Sequence, residues 1–111
     1  MKSLQKYLFD ALEATIALEK IADELTMSNM EDIYTRWTLE RGLSIIGEAL
    51  YQANKIRKDL PITNLKNIIA TRHIIIHDYD VVDRIQIFVI IKKYLSVLKK
   101  EVEEILKSLE E

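Results

Sequence analysis

The chain contains no cysteine. That excludes disulfides and thiolate metal sites, and nothing in the sequence argues for secretion. One proline and two glycines in 111 residues leave little material for turns, so the expected elements are long helices joined by short loops. No apolar run reaches membrane-spanning length. The start, "MKSLQKYLFDALEAT", is broken by charges throughout and does not read as a signal peptide. The expectation is a cytoplasmic protein without a membrane segment, built as one domain over 1-111.

What is present is a globular composition, with 49% hydrophobic and 31% charged residues. A net charge of -2 gives no global attraction for nucleic acid. The charges are unevenly placed, however: between Tyr51 and Arg72 the cations Lys55, Arg57, Lys58, Lys66 and Arg72 face only Asp59. This basic island runs straight into the stretch that begins at Thr71.

Leu4, Leu8, Ala11, Thr15, Leu18, Ala22 and Leu25 alternate spacings of four and three and define a first helix over about Lys2 to Thr26. Ser28 or Asn29 is the expected cap of a second helix reaching about Lys58, with Leu39, Leu43, Ile46, Leu50 and Ala53 on its buried stripe. Gly42 and Gly47 within it would let a neighbouring backbone approach closely. Pro61 is expected to stop that helix, and "PITNLKNIIATRHIII" carries a shorter third one. Asp80 or Asp83 then caps a fourth, with Ile91, Leu95, Leu98, Val102, Ile105 and Leu109 on one stripe. The fold class that follows is all-α: an antiparallel up-and-down bundle of four main helices. The fourth helix is apolar on more than one face, which suits a two-fold dimer. Tyr34, Trp37, Tyr51 and Tyr94 stand at helical spacings and read as packing or interface residues rather than base-stacking platforms.

Most of the candidate chemistry lies in "TRHIIIHDYD", Thr71 to Asp80. In a continuous helix Arg72 and Tyr79 share a face, whereas Arg72 and His77 are about 140° apart. Arg72 and His77 therefore converge only if the helix ends before His77, or if a second copy completes the site. Histidine can move a proton near neutral pH and arginine can hold a phosphate, a pairing that cuts RNA without metal. A structural ion pair of Arg72 with Asp78, Asp80 or Asp83 explains the same spacing. So does a metal triad of His73, His77 and Asp80, although no supporting signature accompanies it.

"RHIIIHDYD", preceded by "ERGLSIIGEAL" and followed by "VVDRIQIFVIIKKYLSVLKKEVEEIL", resembles the HepT-like toxins of the HEPN superfamily, from the HEPN–MNT toxin–antitoxin systems. The shared pattern is an arginine, four residues, a histidine, one residue and a tyrosine, met by Arg72, His77 and Tyr79. Ile46-Gly47-Glu48-Ala49 stands where that family has its "IGEA" segment. The resemblance implies a homodimeric, metal-independent endoribonuclease needing no cofactor, with Arg72 and His77 of both subunits lining a cleft at the two-fold axis. It also implies a nucleotidyltransferase antitoxin of the MNT type that uses ATP to adenylylate Tyr79. Added phosphate beside a cationic cleft would repel RNA. His73 and Glu48 read as supporting residues, Glu48 by orienting Arg72 or a histidine. A non-catalytic HEPN-type module that binds a nucleotide or a nucleotidyltransferase stays open, as does a plain structural dimer.

Overall fold

The computed structural model describes residues 2–77 and 83–110, with Ile76 and His77 described by backbone only. Its elements are all helical among the described residues. α1 spans Leu4–Ala22, α2 Ile33–Ile56, α3 Leu65–His77, α4 Arg84–Val89 and α5 Leu95–Leu109. A 3-10 turn at Met27–Glu31 joins α1 to α2, and a π turn at Ile90–Tyr94 fuses α4 to α5. The residues through that turn keep right-handed helical angles, so α4 and α5 form one rod. Four helical passages result, as the periodicity implied.

Neighbouring passages run antiparallel. Leu18 of α1 meets Gly42 of α2, Arg72 of α3 meets Gly47 of α2, and Lys99 of α5 pairs with Glu19 of α1. α1 packs against α2 and α5, while α3 packs chiefly on α2. The core follows the expected stripes: Leu8, Ala11, Leu18, Leu39, Ile46, Leu50, Leu98 and Val102 are all buried. Thr15 belongs to it too, because its hydroxyl donates to the Ala11 carbonyl at 2.7 Å and leaves no unsatisfied polar atom. Leu109, expected on the last stripe, is exposed rather than buried. No helix among the described residues is long and apolar enough to cross a membrane.

Several boundaries differ from the sequence expectation, each for a local reason. α1 stops at Ala22, short of Thr26, and Thr26 instead caps the 3-10 turn. Its backbone N–H donates to Asn29 Oδ1 at 2.8 Å while its own hydroxyl accepts from the Asn29 N–H. Asn29 thus closes this box, and neither it nor Ser28 caps α2. The cap is Asp32, whose carboxylate accepts from the Thr35 N–H at 2.9 Å. α2 ends at Ile56, five residues before Pro61, where the Asn54 amide donates to the carbonyls of Arg57 and Lys58. Of the two aspartates expected at the last helix, Asp83 is the cap, accepting from the N–H groups of Ile85 and Gln86.

The start of α3 is fixed from across the bundle. Thr63 donates its N–H and hydroxyl to the Glu101 carboxylate, at 3.1 and 2.7 Å, and its carbonyl accepts from the Tyr94 hydroxyl. Asn64 next to it has φ 58°, the left-handed region that asparagine tolerates better than most residues. The π turn supports this arrangement: it carries Tyr94 to Thr63 and brings Lys92 Nζ to within 2.6 Å of the Ala22 carbonyl at the end of α1. A lysine there satisfies a terminal carbonyl and opposes the negative end of the helix dipole.

Tyr94 therefore behaves as the packing residue expected of it. Tyr34 and Trp37 lie outside the core of one copy, 73% and 58% exposed on the first turns of α2.

Candidate active site

Arg72 stands in the second half of α3, opposite Gly47. A Cβ on Gly47 would collide with the Arg72 Cβ and sit 3.2 Å from the Ile68 carbonyl oxygen. Only a bare backbone lets α3 lie this close, and the close approach brings Arg72 Nη2 to 2.7 Å from Glu48 Oε2. The other oxygen, Glu48 Oε1, accepts from the Gln52 amide at 3.0 Å, one turn further along α2. Gln52 thus holds the carboxylate that holds the arginine.

The side chain of Arg72 is a quarter exposed, and its Nε is buried without a hydrogen-bond partner among the described residues. Such an incompletely satisfied guanidinium has donors left for a planar anion. It lines an open groove of about 560 Å³ between α1 and α2. Lys2, Tyr7 and Asp10 line its α1 side, and Arg41, Ser44 and Glu48 its α2 side. Lys2 and Lys6 engage Asp10 at 3.0 and 2.9 Å and hold its carboxyl below the ordinary range, chiefly through the hydrogen bond from Lys6. Arg41 has no ion pair or hydrogen bond among the described residues.

The structure separates the other expected site residues. His73 is exposed on α3, next to Arg72 in the chain but about 100° round the helix. α3 continues through His77, so its backbone position lies about 140° round the helix axis from that of Arg72. The side chain of His77, together with Tyr79 and Asp80, lies outside the described residues, and the metal triad falls there with them. Lys55, Arg57, Lys58 and Lys66 gather around the α2–α3 connection, at the opposite end of α3 from His77. Lys55 lies over the Tyr51 ring at 4.9 Å and Arg57 is 3.4 Å from Asp59. The basic island is thus displaced along α3 from Arg72, by about 9 Å of helix rise between Lys66 and Arg72.

Gln52 and Arg41 escaped the sequence reading. Gln52 was detectable as the i+4 neighbour of Glu48. Arg41 was detectable as one of the polar positions between the buried residues Leu39 and Leu43.

The family model described as "Ribonuclease HepT-like" matches residues 11–105. A Methanocaldococcus jannaschii protein named "Putative RNase MJ1380" is 30% identical over 104 residues, covering 92% of this chain and 95% of that protein. No solved structure matches.

Proposed function

Because the chain belongs to the HepT-like ribonuclease family, we propose that it is a metal-independent endoribonuclease and the toxin of a toxin–antitoxin pair, cutting RNA with Arg72 and His77. The observation that carries this reading is the seat of Arg72: a guanidinium fixed by Glu48, with donors to spare, at the rim of an open groove. His77 takes the proton from a ribose 2'-hydroxyl, or delivers one to the departing 5'-oxygen. The 2'-oxygen forms its bond to phosphorus as the 5'-oxygen leaves. Arg72 counters the charge that grows on the phosphate oxygens.

The continuity of α3 through His77 supports a composite site. Since the two positions lie on different faces of α3 in one copy, Arg72 of one subunit works with His77 of another, and the active form is a homodimer. His73 and Glu48 assist, Glu48 by holding the arginine plane. Lys55, Arg57, Lys58 and Lys66 guide the more distant RNA backbone. A nucleotidyltransferase antitoxin attaches AMP to Tyr79 and silences the cleft by adding negative charge to it.

The test is a cleavage assay on total RNA in EDTA with wild type, Arg72→Ala and His77→Ala, the dimer being checked for each. Wild type should cut, and each variant should lose about a hundredfold or more with the dimer retained. Unimpaired cutting by either variant overturns the site. Folded dimers that never cut, and carry no AMP on Tyr79 by mass spectrometry, would favour the non-catalytic module.

A further inference from the structure

The exposed pair at the start of α2 requires its own explanation. Trp37 is the chain's single tryptophan. Tryptophan is highly buried on average, yet this one is 58% exposed and Tyr34 beside it 73%. Their rings are 6.3 Å apart and nearly perpendicular, at 86°, so each steadies the other while broad ring faces stay open. The pair lies on a particular side of the helix. Tyr34, Trp37, Arg41, Glu48 and Gln52 fall within about 60° of one another around the α2 axis. The stripe begins at the aromatic pair, passes Arg41 one turn on, and reaches the Glu48–Arg72 pair about 16 Å from Trp37.

We infer that Tyr34 and Trp37 form a stacking platform for unpaired bases of an RNA strand that runs along α2, past Arg41, to Arg72. This rests on the nuclease reading and names the substrate class it implies: single-stranded RNA. The charges favour this occupant. Of the groove's three carboxylates, Asp10 is engaged by Lys2 and Lys6 and Glu48 by Arg72, and Glu13 lies on the α1 side; Arg41, without an ion pair among the described residues, is the cation between platform and site. A protein with net charge -2 has little overall attraction for a polyanion, and its basic island gathers around the α2–α3 connection rather than beside the aromatic pair. Ring faces hold bases by a contact that is largely indifferent to sequence, and bases inside a duplex are not available to them. Arg41 can meet the phosphate that follows the stacked base.

The lone tryptophan makes the test direct. A single-stranded 2'-O-methyl RNA 12-mer lacks the attacking hydroxyl, so binding is read without cleavage. Titrating it into the full-length protein should quench Trp37 fluorescence, and the same sequence annealed to its complement should quench little. On cleavable single-stranded RNA, Trp37→Ala should raise KM about tenfold with kcat nearly unchanged, equally at low and high salt, and Trp37→Phe should recover most of the loss. Absence of quenching by the single strand, or an unchanged KM in Trp37→Ala, overturns the platform even if wild type cuts RNA. So does dissociation of the dimer by Trp37→Ala, which would make the patch a contact between copies. Quenching in a protein that never cuts would retain the platform and defeat the nuclease reading.

Discussion

Gly42 and Gly47 stand five residues apart on one helix and open it on two sides to different neighbours. At Gly42 the visitor is the Leu18 side chain of α1, whose Cδ2 would lie 2.6 Å from an added Cβ. At Gly47 it is Arg72, at the root of its side chain, with the Ile68 carbonyl close behind. The first contact closes the apolar core. The second brings a charged residue to a groove and leaves it incompletely satisfied. The same local device, a missing Cβ, thus closes the core on one side of α2 and seats the proposed catalytic arginine on the other. What separates them is how far the visiting atoms can yield: a leucine tip can change rotamer, whereas a Cβ and a carbonyl move only with their whole helix.

The largest way to break this comparison is to fill both gaps. Gly47→Ala should push α3 off α2 and part Arg72 from Glu48, lowering RNA cleavage by about a hundredfold and stability by about 1–3 kcal/mol. Gly42→Ala should be milder, within about 1 kcal/mol, because alanine's better helix propensity offsets part of the crowding against Leu18. Its cleavage rate should stay near wild type. Denaturant unfolding and RNA cleavage measured on both variants check the pair; equal activity losses would mean that Gly47 has no special relation to the site.

Glu48→Gln sharpens the comparison with a smaller effect. It keeps the side-chain shape while removing the charge, so Arg72 is held less firmly and cleavage should fall about tenfold with the melting temperature little changed. Because Glu48 acts through the arginine, added guanidinium should not rescue this variant as it could rescue Arg72→Ala. Equal rescue of both would disprove the positioning role.

The smallest effect lies at the other end of α3. Burial, then the neighbouring Glu101 carboxylate, push the Tyr94 phenol up to about 12 from its ordinary 10.0. With the folded value raised, its contribution is whole below about pH 10 and is lost as pH climbs through 12, since the unfolded chain gives up that proton first. Tyr94→Phe should cost about 1 kcal/mol at neutral pH through the lost bond to Thr63. It should also flatten the alkaline loss of stability over that window, which for this partly exposed phenol amounts to about 1–2 kcal/mol. Urea unfolding at a series of pH values reads both.

The stripes, the two glycines and the place of Arg72 were legible in the sequence because each depends on periodicity within one helix. The pairing of Glu48 with Arg72 was legible only as one alternative, since it joins two helices whose register depends on Gly47. Where the structure departs from the reading or adds to it, unlike structures share one pattern. Thr26 and Asn29 satisfy a cap wherever a turn begins, and nothing local says that a 3-10 turn intervenes before Asp32. Tyr34 and Trp37 hold helical spacing yet face outward, because the stripe that decides the buried side passes through Leu39 and Leu43 instead. The basic residues from Lys55 to Lys66 are close in sequence but follow the chain around a connection, which carries them along α3 from Arg72.

The π turn between α4 and α5 resembles a shift of reading frame. Ile87, Ile91 and Leu95 are spaced four and four, and Leu95, Leu98, Val102 and Ile105 three, four and three, yet all are buried. A uniform α-helix would let the first spacing drift round the axis; the wider turn holds one residue more and restores the phase. The rod is therefore punctuated. Deleting one residue within Ile90–Tyr94 would leave each half with its own correct message and the two halves mutually out of frame, whereas a substitution at exposed Lys93 would be read through without consequence.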